Sequence, residues 1–201
     1  LLHKRAPLMP LMIEENFTTV LLGQLRANEL DVVAVAAPVD TQGLTTWAVY
    51  DEPFVALLPR DHRWSAEPAI PSKKLAEEKL LLLGPGHCFR EQVIEACPKC
   101  VDPDSAGPRP HTGSSLETIR HMVASGLGIT VVPRSSVENR PDEPALVSRP
   151  LAKPGPQRRI VLAWCRTYPP AKAIAPLRAA ILDSGMKGVQ FIPQAQPETG
   201  T

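Results

Sequence analysis

Thiols have the widest chemistry of any side chains in this chain, and three of its four cysteines fall in one stretch. That stretch runs Gly84-Pro85-Gly86-His87-Cys88-Phe89-Arg90-Glu91-Gln92-Val93-Ile94-Glu95-Ala96-Cys97-Pro98-Lys99-Cys100. The apolar run Leu80–Leu83 before it reads as a buried strand, and Gly84, Pro85 and Gly86 as a turn. Phe89 to Ala96 favours a helix, which Pro98 cannot continue, so Cys97 falls at or near its end. Cys88 then sits at the helix N-terminus beside His87 and near Arg90, where orphan N–H groups, the helix dipole and a cation favour thiolate. Cys88 is placed to be reactive. Across an intact helix, Cys97 lies about 13 Å away, whereas a disulfide needs Cα atoms within about 7 Å. Closing that pair must unwind the helix, which makes it a candidate switch.

The same residues admit other chemistry. Cys88 can instead be a small buried apolar residue. His87 can be an ordinary turn residue or a hydrogen-bond partner for an incoming oxidant. Cys97-Pro98-Lys99-Cys100 is a C-x-x-C, but a thioredoxin-type dithiol opens a helix and this one ends it. His87, Cys88, Cys97 and Cys100 have ligand types that suit zinc, though gathering both helix ends on one metal meets the same distance obstacle. Cys165, within a strand-like run, reads as inert core. Ser114 and Ser115 open a helix and either cap it or offer hydroxyls and free N–H groups to an anion or polar ligand. Thr18 and Thr19 carry the same ambiguity, and Arg159 beside a strand either reaches a crevice or is solvated.

Several elements must position these groups. Leu8–Glu14 alternates loosely as a strand. Thr18–Asn28 has Val20, Leu21 and Leu25 at helical spacing, with Thr18 or a neighbour as cap. Leu30–Ala36, apolar on both faces, reads as a central strand that completes a right-handed βαβ unit. Trp47–Leu58 holds two strand-like stretches around Asp51-Glu52-Pro53, and Ser72–Glu78 is a short helix. Val101–Gly113 is a loop, and Ser114-Ser115-Leu116-Glu117 a capping-box match opening a helix through Ala124. Ile129–Pro133 and Arg159–Cys165 are further strands, Pro141–Gln157 is Pro-rich and charged, and Ala171–Leu182 is the last helix. Gln194–Thr201 should fray. Alternating strands and helices predict an α/β fold of two Rossmann-like lobes with mostly parallel sheets. Lobe I is expected at residues 1–55 and 160–201, lobe II with the redox cysteines at 56–159, and a ligand crevice between them.

Composition narrows the class. The 201 residues are 43% hydrophobic and 21% charged, ordinary for a soluble globular protein. A net charge of +1 implies no bulk attraction to nucleic acid. Four cysteines are too few for a disulfide scaffold and fit a reducing compartment, so cytoplasm is the expectation, with no membrane partner. Leu1-Leu2-His3-Lys4-Arg5 reads as the tail of a helix, as in a fragment of a longer chain.

With the cysteine stretch, the Ser114–Pro133 run SSLETIRHMVASGLGITVVP and the strand LDVVAVAAP, the chain resembles the regulatory domain of LysR-type transcriptional regulators over about residues 1–190. Gly86-His87-Cys88-Phe89-Arg90-x-Gln92 followed by Cys97 matches the motif of that family's hydrogen-peroxide sensors. The resemblance implies two lobes like a periplasmic binding protein, Cys88 as the peroxidatic thiol, and Cys97 as the resolving thiol that bonds it. It also implies peroxide contacts from His87, Thr18 and Arg159; Ser114 and Ser115 stay candidate ligand contacts through their place at the helix start alone, not through the resemblance. No cofactor, no metal and no enzymatic turnover are expected. Expected partners are hydrogen peroxide, a second copy in homodimers and homotetramers, and a thiol reductant for reset. DNA and RNA polymerase would engage only the full-length activator, whose N-terminal winged helix-turn-helix is absent from this chain. Cys100 is extra to the family motif. The alternative is a domain of the same family that binds a small organic anion, with incidental cysteines.

Overall fold

A computed structural model describes residues 1–102, 107–140, 143–169 and 171–200. Parts of the expected 101–113, 141–157 and 194–201 segments, at 103–106, 141–142 and 201, lie outside the described residues, as does Pro170. The elements are, in order, α1 (Leu2–Arg5), α2 (Thr18–Arg26), β1 (Val33–Ala37), β2 (Leu44–Pro59), β3 (Leu80–Leu83) and α3 (Cys88–Ala96). After them come β4 (His111–Gly113), α4 (Leu116–Ala124), β5 (Ile129–Pro133), α5 (Ser135–Glu138) and β6 (Leu146–Pro150). The chain closes with β7 (Gln157–Cys165), α6 (Ala171–Leu182), β8 (Gln190–Phe191) and β9 (Glu198–Thr199). Ser72–Glu77 and Pro98–Cys100 are 3₁₀ turns. The chain divides into two compact units, Leu1–Glu52 with Arg158–Thr201, and Pro53–Gln157.

In the first unit β7 lies between β1 and β2. Its side chains alternate between two cores. Val161 and Ala163 join Leu22 and Leu25 of α2, while Leu162 and Trp164 join Ile174 of α6. The strand covered on both faces is therefore β7, not the expected Leu30–Ala36 run. That run forms β1, which pairs antiparallel with β7 and leaves Ala34 exposed. Leu8–Glu14 forms no strand: among the described residues nothing pairs with it, and Leu8, Met12 and Ile13 are 96%, 91% and 82% exposed. A strand needs a neighbouring ladder to satisfy its backbone, so the expected βαβ unit does not form. On α2 the buried positions are Leu22 and Leu25 with Leu21 half-buried, Val20 faces out, and the cap position is Phe17.

The second unit has strand order β6-β2-β5-β3-β4. β3 pairs parallel with β4 and β5, whereas β2 pairs antiparallel with β5 and β6. This sheet is mixed rather than mostly parallel, and in the first unit β1 pairs antiparallel with β7, as β8 and β9 do with β2. Parallel neighbours need a long crossover, which α3 and α4 supply around β3, β4 and β5. Elsewhere the chain returns without one. All four residues of β3 are buried, in a core shared with Phe54 to Leu58 of β2, Phe89 and Val93 of α3, and Ile119 and Val123 of α4.

β2 is one strand of 16 residues where two stretches are expected. Before Pro53 it pairs with β8 and β9, and after it with β5 and β6. The proline, which lacks a ladder donor, sits where the strand changes partners. As far as Gly200 the C-terminal segment is held in place rather than frayed. β8 and β9 add to β2, Trp47 donates from Nε1 to the Ala195 carbonyl at 2.7 Å, and the Gly200 N–H reaches the Leu44 carbonyl at 3.0 Å.

Candidate functional site

The site is built on α3. β3 ends at Leu83, and Gly84 donates its N–H to the Gly113 carbonyl at 3.1 Å. Gly86 turns the chain with φ 94°, a left-handed conformation that a Cβ disfavours. His87, half-buried, is the N-cap in extended conformation, and Cys88 is the first residue of the helix. The Cys88 thiol is free and exposed. α3 docks through Phe89 and Val93, with the Phe89 ring edge-on to Phe54 at 4.9 Å between centroids. The Arg90 guanidinium turns back to the end of β3, with Nη1 donating to the Leu83 carbonyl at 2.8 Å. Its first structural task is to tie the helix to the strand, which the sequence reading of a cation near Cys88 does not contain.

At the other end, Cys97 caps α3 and donates its N–H to the carbonyls of Val93 and Ile94, both at 3.1 Å. The 3₁₀ turn Pro98–Cys100 comes next, and Cys97 is joined to Cys100 as a disulfide with Cα atoms 5.6 Å apart. Both cysteines are buried. The partner of Cys97 in this structure is thus Cys100, not Cys88. The physical reason is local: in a 3₁₀ turn residues i and i+3 eclipse, whereas α3 separates Cys88 from Cys97 along its full length. The C-x-x-C spacing with proline second is the signal that marks this pairing.

With Cys97 and Cys100 bonded to each other, the zinc reading of His87, Cys88, Cys97 and Cys100 does not assemble. Among the described residues no group of three or more His, Cys, Asp or Glu is placed to hold a metal ion. Cys165 is half-buried at the end of β7, its Sγ 3.2 Å from the Leu25 carbonyl, rather than mid-strand core.

The other predicted site residues divide between the units. His87, Ser114 and Ser115 belong with Cys88 to the unit Pro53–Gln157, and Thr18 and Arg159 to the other. Thr18 is the half-buried first residue of α2. Arg159, on β7, is clamped by Asp51 through Nε at 2.7 Å and Nη2 at 2.8 Å. That carboxylate pushes the guanidinium pKa still higher. Ser115, not Ser114, is the N-cap of α4: its Oγ accepts the Thr118 N–H at 3.1 Å. Glu117 does not close a capping box but pairs with Arg140 at 2.7 Å, which lowers its carboxyl pKa. Both serine hydroxyls also lie within hydrogen-bond range of Thr118 Oγ1. Among the described residues no helix is long and apolar enough to cross a membrane.

Residues 1–185 match the family model described as LysR substrate binding domain. A "Probable hydrogen peroxide-inducible genes activator" of Mycobacterium avium is 37% identical over 162 residues, 80% of this chain and 51% of that protein. The chain spans about half the length of the curated relatives it matches. The reduced form of the OxyR regulatory domain from Pseudomonas aeruginosa is 46% identical with a TM-score of 0.80, covering 90% of this chain and 86% of that one. A reduced form of OxyR from N. meningitidis is 39% identical with a TM-score of 0.84, covering 95% and 88%. The mixed sheet around β3 and the antiparallel pairing of β7 with β1 belong to this family's periplasmic-binding-protein-like fold. The chain belongs to the LysR substrate binding domain family, as a regulatory domain of the OxyR kind.

Proposed function

We propose that this chain is the hydrogen-peroxide-sensing part of a longer transcription regulator. The observation that carries the reading is the free, exposed Cys88 at the first position of α3, in a unit whose other two cysteines are buried. Cys88 thiolate attacks the peroxide O–O bond, becoming a sulfenic acid and releasing hydroxide. Cys97, as a thiol, then displaces water to give the Cys88–Cys97 disulfide. That bond requires α3 to unwind, because the intact helix holds the two ends about 13 Å apart. The loss of α3 withdraws Phe89 and Val93 from the core and alters the surface of this unit, which a second copy and the DNA-bound assembly would read.

In this reading His87, Thr18 and Arg159 hydrogen-bond the peroxide and its waters. The regulator works in the cytoplasm as a homodimer or homotetramer. DNA and RNA polymerase meet parts of the longer protein, and a thiol reductant resets the switch. The same reductant must first open the Cys97–Cys100 bond, since Cys97 resolves only as a thiol.

The test is sulfenate trapping with dimedone, combined with far-UV circular dichroism, on reduced protein given one equivalent of hydrogen peroxide. Trapped Cys88 and a loss of helical signal are expected, with Cys88→Ser silent in both. A Cys88→Ser chain that still changes shape would refute the reading. A chain stabilised by small carboxylates, with Cys88 unmodified by peroxide, would replace it with an organic-anion sensor.

A further inference from the structure

Cys100 has no part in the proposed sensing chemistry, yet the structure bonds it to Cys97 while α3 is intact and Cys88 is free. We infer that Cys100 is a second resolving thiol, which takes the disulfide over from Cys88 and lets α3 refold with the oxidising equivalent stored at its C-terminal end. The inference rests on the proposed peroxide chemistry of Cys88 and adds a later step to it.

Each step balances. Cys88 thiolate and hydrogen peroxide give Cys88 sulfenic acid and hydroxide; Cys97 thiol condenses with the sulfenic acid, forming the Cys88–Cys97 bond and releasing water. Cys100 thiolate then attacks Cys97 Sγ and expels Cys88 as a thiolate, leaving Cys97–Cys100. The last step consumes no oxidant and no external reductant.

The helix sets the direction of exchange. Each disulfide is the same two-electron oxidation of two thiols, but their structural demands differ. Cys97–Cys100 forms across a 3₁₀ turn with Cα atoms 5.6 Å apart and leaves α3 whole. Cys88–Cys97 must unwind the nine residues of α3 and expose Phe89 and Val93, which are 6% and 1% accessible in the folded helix. Refolding returns the helical hydrogen bonds and both apolar side chains to the core, so exchange runs toward Cys97–Cys100. Cys100 is also near in sequence to the sulfur it attacks, so unwinding α3 does not carry it out of reach.

The consequence is a signal that limits itself. After the first equivalent of peroxide, Cys88 is free again and α3 is folded, but Cys97 is no longer available. A second equivalent leaves Cys88 as a sulfenic acid with no resolving thiol, open to irreversible further oxidation. The chain would answer one dose with a transient refolding and a second with a persistent sulfenate.

The experiment is time-resolved, non-reducing peptide mapping of the fully reduced chain after one equivalent of hydrogen peroxide, with dimedone quenching of parallel samples. Cys88–Cys97 should appear first and give way to Cys97–Cys100, until the latter exceeds it by about tenfold or more, equivalent to ~1.4 kcal/mol. In Cys100→Ser and Cys100→Ala the Cys88–Cys97 linkage should persist, and helical signal in the wild type should fall and recover. The wild-type time course decides alone if neither variant folds. A Cys88–Cys97 bond that stays in the wild type would overturn the inference and leave the peroxide reading standing. Formation of Cys97–Cys100 at the wild-type rate in Cys88→Ser would overturn it by showing direct oxidation of the pair. Absence of any sulfenate or linkage at Cys88 would remove the peroxide reading, and the inference with it.

Discussion

Cys88, Cys97 and Cys100 share a short segment, yet their environments separate their chemistry. Cys88 opens its helix toward solvent, while Cys97 and Cys100 are 3% and 6% accessible and bonded to each other. Thiol reactivity requires both an ionisable sulfur and access to the reagent. Iodoacetamide applied without reductant should therefore label Cys88 faster than the half-buried Cys165 and leave Cys97 and Cys100 unlabelled. Peptide mass spectrometry reads all four sites. Equal labelling of Cys88 and Cys165 would mean that access does not distinguish them.

α3 is the element on which the proposed switching depends. It docks through Phe89, set against Phe54, and Val93, with a tether from Arg90 to the Leu83 carbonyl. Phe89→Ala removes a buried aromatic side chain, a change that costs about 3–5 kcal/mol in well-packed cores. Two readouts are expected: a lower denaturation midpoint, and faster closure of the Cys88–Cys97 bond after peroxide, because the helix is already loosened. A Phe89→Ala chain that loses stability but closes the bond no faster would show that unwinding α3 does not limit the step.

The whole molecule depends on two strands, β2 and β7, that each run from one unit into the other. Beside that passage Glu52 is buried and paired with Arg158 at 2.7 Å, and Tyr50 stands two residues upstream, its ring edge-on to Phe191. Burial, reinforced by the Glu52 charge, pushes the Tyr50 hydroxyl above its ordinary value. The folded state therefore holds that proton more tightly than the unfolded chain does. Its contribution to stability is complete below about pH 10, the unfolded tyrosine value, and is lost as pH rises through the folded pKa. Denaturant midpoints should decline above about pH 10, and Tyr50→Phe should flatten that decline. An unchanged alkaline slope in Tyr50→Phe would assign the loss to other groups.

Much of the local structure was legible in the chain, because propensity, periodicity and stop signals act over a few residues. The four leucines of β3, the glycine turn, the helix between His87 and Pro98, β5 and α6 all arise from such signals. The span of α3, and with it the separation of Cys88 from Cys97, was legible for the same reason. Tertiary structure decided what depends on distant partners. Leu8–Glu14 has a strand's pattern and no strand to pair with, while the polar segment after Gln190 is ordered by β2 waiting beside it in space. Strand direction could not be read from composition, since a buried strand looks alike beside parallel and antiparallel neighbours: β1 pairs antiparallel with β7, whereas β3 has parallel neighbours. The bond from Cys97 to Cys100 lies between these limits. Its spacing was visible in the sequence, but only the 3₁₀ turn that Pro98 begins, folded into the core behind α3, brings the two Cα atoms into bonding range.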